Sequence, residues 1–582
     1  MNKLYSFPKT AGLDVQLFKQ RAIRNLYCGF LNLSDVIDLL VRKYQRYFEV
    51  LIRRDPHAVG KKRPSWLTEI RPSISDASAE TICSRIPYVM SGLGAISSAP
   101  VWEEPANEPE DYFAAHRFAW LLTCDPLNSA QAADARTRVD EWITGNNNLM
   151  DRAWETYSAC ERIGNLVSWL SLIPQETRVK FLPKNSESFF RASAATIVAH
   201  PEYYGNLRTN NHILNNGRAL VMLGRILGDT GMHDRGVAIL ERMLPVMVGE
   251  GGMLRERSSH YQFVVLGWVL DASRYAATPG TKEVFGPYVK RMAGAAVRLL
   301  DGRGALAAEI GDISPDMSPS ASLARLALLH PGWQNGTAPV DGPSTDDWYF
   351  LSAGGSRVMV NYPVGNYPFR YPTHGHCDLT SFVWSLDDER ILVDAGRFRY
   401  TTDTVSEHQR SAAGHNLPLV DGFSPLCEPF GVSGWMPTPY ASATLVVEGI
   451  APNKLIMRHT GLERLQRGMR HLRAIDVKDQ GIDVVDSFAG SGVHTVTLLW
   501  HFPLTFRPLA DNGGAGNGRF EVTVETSGAG PTSYHWFYGD SAGLRASRAY
   551  GTSESLTTLV VELRCSFPAE VRTSFRVAPC AA

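Results

Sequence analysis

The hydrophobic pattern of this chain changes its period near residue 345, and this change constrains the fold more than any other feature. Before it, apolar residues recur at helical spacing in many segments, for example 109–123, 132–145 and 215–229. Amphipathic segments of this kind, joined by short polar loops, predict pairs of antiparallel helices in an all-α domain. After it, short runs rich in β-branched and aromatic residues, separated by Gly, Asn and Asp, predict an antiparallel β-sandwich.

The length of the chain requires more than one hydrophobic core. It has 582 residues, whereas single cores stop growing near ~250–300 residues. We predict an N-terminal helical extension at 1–60, a helical domain at 61–340 and the sandwich at 345–582. The boundary is placed in the Gly-, Pro-, Ser- and Asp-rich stretch 331–347. The predicted fold class is therefore multidomain α+β.

Composition excludes some classes of partner. A net charge of −1 argues against nucleic acid as the main partner, because neutralising phosphates needs a surplus of Lys and Arg. The most apolar early stretch, 26–41, contains two aspartates and predicts no membrane span. No leader pattern is seen, so a cytoplasmic location is expected for the chain as given, and a periplasmic one if a leader has been removed. The eight scattered cysteines predict free thiols. No pattern predicts an oligomeric state.

Histidines and aspartates cluster in the predicted sandwich. Alternate residues of a strand share a face, so His374, His376 and Asp378 are predicted to project together. Asp394 closes an apolar run and His415 follows a loop of small residues. Imidazoles with a carboxylate are a donor set that suits zinc. A hydrogen-bonded histidine pair explains the same H-x-H spacing equally well, and the spacing leaves both interpretations open.

Two polar groups precede apolar runs in the helical half. They are Asn210, Asn211 and His212, and then Glu256, His260 and Tyr261. Taken singly, helix capping by asparagine and a polar helix start explain them without a function. A function is indicated only by the order of the two polar groups and the histidine cluster along the chain.

That order resembles the heparinase II/III family of polysaccharide lyases, including its alginate-lyase relatives. The matching stretches are 154–170, 209–220, 251–262, 374–400 and 408–422. The resemblance implies an incomplete (α/α) toroid as the catalytic domain at 61–340, followed by the antiparallel β-sandwich. It further implies cleavage of a uronic-acid-containing acidic polysaccharide by β-elimination, without an organic cofactor.

The resemblance also implies roles for individual residues. In β-elimination the uronate carboxylate is neutralised, the C5 proton is removed and the departing oxygen is protonated. Neutralisation is expected from Asn211 and His212, and the acid from Tyr261. The base is left open between Tyr261 itself, His374 and His212. Glu256 is either a partner of Tyr261 or His212, or a solvated charge at a helix end. Residues expected to bind substrate are Arg208, Asn210, Glu256, His260 and Tyr400.

The same resemblance implies a zinc ion of structural role, held by His376, Asp394 and His415. His374 is then left for the chemistry. Two other functions are kept open. One is a hydrolase that processes an exopolysaccharide or capsule. The other is a catalytically silent carbohydrate-binding protein, since His260 precedes Tyr261 where the family usually has a histidine after the tyrosine.

Overall fold

The order of the two domains follows the change in periodicity. A computed structural model describes residues 78–89, 109–203, 209–276, 278–335, 342–367, 374–401, 403–425, 443–505, 520–538 and 544–577. Helices fill the described residues up to 329, and strands predominate from 344 onward. The α+β fold class is thereby confirmed. The predicted extension at 1–60 and Arg208 lie outside the described residues.

The first half is built from helices that pack against one another. They are α1 Ala79–Arg85, α2 Pro109–Ala115, α3 Ser129–Gly145, α4 Thr156–Ser171, α5 Gln175–Arg178, α6 Ser186–Ala199, α7 His212–Leu227, α8 Thr230–Met247, α9 Ser259–Tyr275, α10 Pro279–Val297 and α11 Pro319–Leu329. Every residue of α4 is buried, which places this helix at the centre of the helical core. Glu155 caps it by accepting the backbone N–H groups of Tyr157 and Ser158.

The second half consists of antiparallel sheets. The strands are β1 Ser344–Thr345, β2 Trp348–Ala353, β3 Ser356–Asn361, β4 Gly365–Tyr367, β5 Val383–Leu386, β6 Glu389–Leu392, β7 Pro418–Val420, β8 Ala443–Ala451, β9 Lys454–His459, β10 Arg470–Lys478, β11 Gly481–Pro503, β12 Phe520–Tyr538, β13 Arg545–Ala546 and β14 Glu554–Val577, with helix α12 Thr404–Arg410 between β6 and β7. Within the described part of the chain they form a five-stranded sheet, β1-β2-β3-β5-β6, and a nine-stranded sheet. The larger sheet runs β12-β14-β11-β10-β9-β8-β4, with β7 on β11 and β13 on β14.

The two sheets enclose one hydrophobic core, as expected for a sandwich. Leu351 and Val358 of the smaller sheet share a buried cluster with Ile475, Val484 and Trp500 of the larger one. Burial alternates along β10, where every second side chain, from His471 to Val477, is buried. This alternation is the period-2 pattern that predicts a half-buried strand.

Charged side chains join the helical domain to the sandwich. Arg257, just before α9, forms a buried ion pair with Asp378. Glu309, in the segment between α10 and α11, pairs with Arg390 at 2.8 Å and with Arg548 at 2.7 Å. Such pairs fix the helical domain against the loops at one edge of the sandwich. Among the described helices, none is long and apolar enough to cross a membrane.

Candidate active site and metal centre

The N-terminus of α9 positions Tyr261. Ser258 is the N-cap, accepting the backbone N–H of Tyr261 at 3.1 Å and donating its hydroxyl to the carbonyl of Asp312 at 2.7 Å. Arg257 precedes the cap with φ of +63°, a left-handed conformation that turns the chain into the helix. Tyr261 is thereby fixed in the first turn with its side chain almost fully buried.

The N-terminus of α7 presents Asn211 and His212. The Oδ1 of Asn210 accepts the backbone N–H of His212 at 3.2 Å, whereas the side chain of Asn211 caps nothing. The backbone N–H of Asn211 is donated instead to Oε1 of Glu256 at 2.9 Å. Helix capping therefore accounts for Asn210, which was predicted to bind substrate, but not for Asn211.

Burial excludes one of the roles expected for Glu256. Its side chain is fully buried, so it is no solvated helix-end charge. Its oxygens lie against Asn211 and, at 3.7 Å, against Nε2 of His374. Glu256 thus supports the loop that carries Asn211.

His374 comes from the sandwich and meets these helix ends. Its ring stacks on that of Tyr261 with centroids 3.8 Å apart and planes 13° apart. Its Nδ1 lies 3.1 Å from Oδ2 of Asp312, and its Nε2 lies 3.0 Å from Nδ2 of Asn211. Since a carboxylate only accepts, neutral His374 carries its proton on Nδ1, and Nε2 is left as an acceptor. The lone pair of Nε2 therefore points to the amide of Asn211.

Tyr400, which comes from the sandwich, contacts Tyr261 of the helical domain. The hydroxyls of Tyr261 and Tyr400 are 2.9 Å apart, and Tyr400 donates to the carbonyl of Ile313 at 3.0 Å. Because the hydroxyl proton of Tyr400 is used on Ile313, Tyr261 is the donor in the pair. Burial raises the pKa of Tyr261 well above its ordinary value. Tyr261 is thus a neutral proton donor.

His212 lies beside this cluster with a carboxylate of its own. Its Nδ1 is 2.7 Å from Oε1 of Glu202, and its ring packs on Tyr157 with centroids 4.4 Å apart. Burial lowers the pKa of His212, but the charge and hydrogen bond of Glu202 outweigh this effect and raise the pKa to about 9. At neutral pH the imidazole is therefore protonated and acts as a cation rather than as a base. Its side chain is 30% exposed, which leaves it accessible to solvent.

His260 lies in the interior, contrary to its predicted role in binding substrate. Its Nε2 bonds the hydroxyl of Ser322 at 2.8 Å, and its Nδ1 accepts the backbone N–H of Ser314 at 3.1 Å. Burial lowers the pKa of His260 to about 3. Both ring nitrogens are occupied, so His260 fixes α9 against α11 and the loop before it.

Residues 374–378 do not form the strand that was predicted, since the sheet resumes only with β5 at Val383. His374 and His376 still converge, because both bond the carboxylate of Asp312. Asp378 turns away and pairs with Arg257. The i, i+2 spacing therefore predicted the right neighbours for His374 and His376, but through an incorrect local structure.

His376, Asp394 and His415 come together as a cluster that could hold a metal ion. One donor atom from each lies within 4.8 Å of the others, and all three residues are buried. Nδ1 of His376 and Nε2 of His415 have no hydrogen-bond partner among the described residues. Unpartnered buried nitrogens are costly unless a ligand satisfies them. Two imidazoles and a carboxylate, with Nε2 of His376 held by Asp312 at 3.0 Å, match a zinc site and its supporting carboxylate.

Two residues of the site escaped the sequence analysis. Asp312 bonds both His374 and His376 but lies 62 residues before the first of them. Glu202 bonds His212 from a loop ten residues earlier in the chain. Neither belongs to a spaced motif. The only local signal was the Gly311-Asp312 pair, which is typical of a turn.

Comparison with known proteins identifies the family of the C-terminal domain. Residues 340–556 match the family model described as "Heparinase II/III-like, C-terminal". The C-terminal domain is therefore a heparinase II/III-like domain, and the resemblance stated from the sequence is confirmed. A search of curated proteins found no match.

Solved structures share the fold of both domains. A heparinase III crystal structure aligns with a TM-score of 0.60 and 14% identity, covering 94% of this chain and 91% of that one. A mutant of the heparan sulfate lyase HepC from Pedobacter heparinus aligns with a TM-score of 0.53 and 14% identity, covering 90% and 86%. These alignments confirm the predicted order of a helical toroid followed by an antiparallel sandwich.

Proposed function

We propose that this chain is a polysaccharide lyase that cleaves a uronic-acid-containing polysaccharide by β-elimination. The observation that carries the proposal is the contact of Asn211 and Tyr261 from the helical domain with His374 and Tyr400 from the sandwich. The groups required by the reaction, a donor for the carboxylate, a base and an acid, lie in this one cluster. The lyase names of the structural relatives support it.

Neutralisation of the uronate carboxylate falls to Asn211 and His212. The amide of Asn211 supplies N–H donors, and His212 supplies a positive charge maintained by Glu202. Both stand at the N-terminus of α7, where the helix dipole also favours an anion. Donors fixed before the substrate arrives stabilise the enolate-like transition state without reorganising.

His374 is the base in this mechanism and Tyr261 is the acid. Asp312 directs Nε2 of His374 towards Asn211, whereas the raised pKa of His212 keeps that imidazole protonated, so we assign the base to His374. Tyr261 keeps its proton because burial raises its pKa, so it can protonate the departing glycosidic oxygen. A zinc ion held by His376, Asp394 and His415 would fasten the segments around His374 and take no part in these proton transfers.

A panel of polysaccharides tests the proposal. Heparosan, heparan sulfate, hyaluronan, alginate and bacterial exopolysaccharides are incubated with the protein, and the unsaturated product is followed by its ultraviolet absorbance. We expect at least one polymer to give product. Tyr261→Phe should then lower kcat by about 10²–10⁴, the usual contribution of a general acid, because the ring still packs on His374 while the proton is missing.

Tyr275→Phe is the matched control. Tyr275 is equally buried at the far end of α9, and its hydroxyl has no hydrogen-bond partner among the described residues. This variant should keep wild-type kcat. Oligosaccharide binding without product from any polymer would instead support the carbohydrate-binding alternative, and full activity of Tyr261→Phe would reject the assignment of the acid.

A further inference from the structure

Asp312 lies between His374 and the candidate metal ligands His376, Asp394 and His415. Its Oδ2 is 3.1 Å from Nδ1 of His374, and its Oδ1 is 3.0 Å from Nε2 of His376. The guanidinium of Arg397 lies 3.7 Å from Oδ1. Each oxygen of this buried carboxylate therefore holds one imidazole.

The backbone gives Asp312 little freedom to move. Its N–H bonds the carbonyl of His374 at 2.9 Å, and its carbonyl accepts the hydroxyl of Ser258 at 2.7 Å. Gly311 before it has φ of +77°, and a Cβ there would lie 2.5 Å from the carbonyl oxygen of Arg257 and 2.6 Å from that of His374. Gly311 thus allows the close approach that sets the carboxylate between the two rings.

We propose that Asp312 is a positioning residue that couples the base His374 to the metal ligand His376. By accepting one N–H from each imidazole, it fixes both tautomers at once. Nε2 of His374 is left as an acceptor towards Asn211, and Nδ1 of His376 is left as a donor atom towards Asp394 and His415. The part concerning His374 rests on the proposed lyase function, whereas the part concerning His376 does not.

The substitution Asp312→Asn changes the hydrogen bonds to the two imidazoles while keeping the volume of the side chain. An asparagine has one accepting oxygen and one donating nitrogen, so it accepts an N–H from only one of the two rings. The other ring has to turn or change its tautomer. The neutral amide also holds the remaining ring less strongly than a carboxylate does. Both functions should therefore suffer from a single isosteric change.

The test uses two measurements on the full chain purified with zinc. The first is the zinc retained per chain during a timed challenge with a chelator, which requires no catalytic activity. The second is the steady-state kinetics on the polymer that the panel identifies. We expect Asp312→Asn to lose zinc at least about tenfold faster and to lower kcat by about 10- to 100-fold, the usual effect of losing a partner of a ligand, with KM within about threefold of wild type.

Asp271→Asn is the control for a lost buried carboxylate. Asp271 is equally buried, accepts from His330 at 3.0 Å and from Arg218 at 3.0 Å, and lies ten residues along α9 from Tyr261. It should lose stability while the folded protein keeps wild-type kcat and zinc retention. If Asp312→Asn does not fold, Asp312→Glu is measured in its place, because it keeps the charge but moves both oxygens by one methylene.

The coupling is overturned if either zinc retention or kcat of the folded Asp312 variant equals that of wild type. Failure of the proposed function would look different, because the wild type itself would then turn over no polymer. In that event zinc retention still decides whether Asp312 positions His376.

Discussion

The ion pair between His212 and Glu202 determines how the site responds to pH. Burial alone would lower the pKa of His212 from its ordinary value of 6.5, but Glu202 at 2.7 Å raises it to about 9. The pKa in the folded protein is thus above that in the unfolded chain. The pair contributes its full stability below about pH 6.5, and the contribution is lost as the pH rises through about 9.

The same pair predicts the alkaline limit of activity. If protonated His212 neutralises the substrate carboxylate, kcat/KM should fall as the pH rises through about 9. Glu202→Gln removes the charge that supports the proton, so the alkaline limb should move to lower pH. The measurement is the pH profile of kcat/KM for the two proteins.

A surface glutamate provides the control for that profile. Glu187 on α6 pairs with Arg191 one turn away, and both side chains are about one-third exposed. Glu187→Gln should leave the alkaline limb where wild type has it. An unmoved limb in Glu202→Gln as well would show that His212 does not carry the charge that the site requires.

At the scale of elements, the first turn of α9 contributes both to the stability of the fold and to the position of Tyr261. Ser258 caps this helix and also bonds the carbonyl of Asp312, so one hydroxyl positions both Tyr261 and the loop of Asp312. Ser258→Ala should cost about 0.5–2 kcal/mol in the free energy of unfolding, as caps generally do. It should also lower kcat, because Tyr261 follows three residues later.

Thr278→Ala distinguishes these two effects. Thr278 caps the neighbouring helix α10 by accepting the N–H of Thr281 at 3.2 Å, and it is exposed. Urea unfolding should show a loss of similar size for this variant, with unchanged kcat. Equal activity of the Ser258 and Thr278 variants would mean that the cap does not position Tyr261.

The donors His376, Asp394 and His415 lie on three separate segments of the sandwich, so a metal ion there would act as a cross-link. We expect metal analysis of untagged protein to find about one zinc ion per chain. Removing it with a chelator should lower Tm, and added Zn²⁺ should restore it, because an ion that binds only the folded state stabilises that state.

His376→Ala is the control for metal removal. This variant lacks one ligand, so its Tm should already be low and should not respond to the chelator. A wild-type Tm that is equal before and after chelation would contradict the metal site and favour a purely hydrogen-bonded cluster.

At the scale of the whole molecule, the site exists only where the two domains meet. Arg257 and Asp378 form a buried ion pair across this interface, with side chains 8% and 4% exposed. Asp378→Asn leaves the charge of Arg257 buried without its partner carboxylate, which typically costs about 3–5 kcal/mol. We expect a loss of this size in urea unfolding, together with lower activity, because Arg257 leads directly into α9.

An exposed ion pair shows what a surface charge contributes by comparison. Arg138 and Asp134 pair along α3 with side chains 58% and 60% exposed. Asp134→Asn should change the free energy of unfolding by less than about 1 kcal/mol. A similarly small change in Asp378→Asn would mean that the buried pair does not hold the domains together.

Much of this architecture follows from the sequence alone. The change from a helical to an alternating period predicted the two domains, because each period sets which side chains share a face. Local patterns also placed Tyr261 and His212 in the first turns of helices, as α9 and α7 confirm. These properties depend on neighbours within a few residues, and short-range physics determines them.

Contacts between distant segments were decided only by the tertiary structure. Nothing local indicated that Asp312 would bond two histidines more than sixty residues later, that Glu202 would hold the proton of His212, or that His260 would be enclosed. Such partners are selected by the packing of α7 and α9 against the loops of the sandwich. The sequence therefore determined which residue types were present at each helix end and loop. The fold determined their charges and roles, because burial and distance to a partner set both.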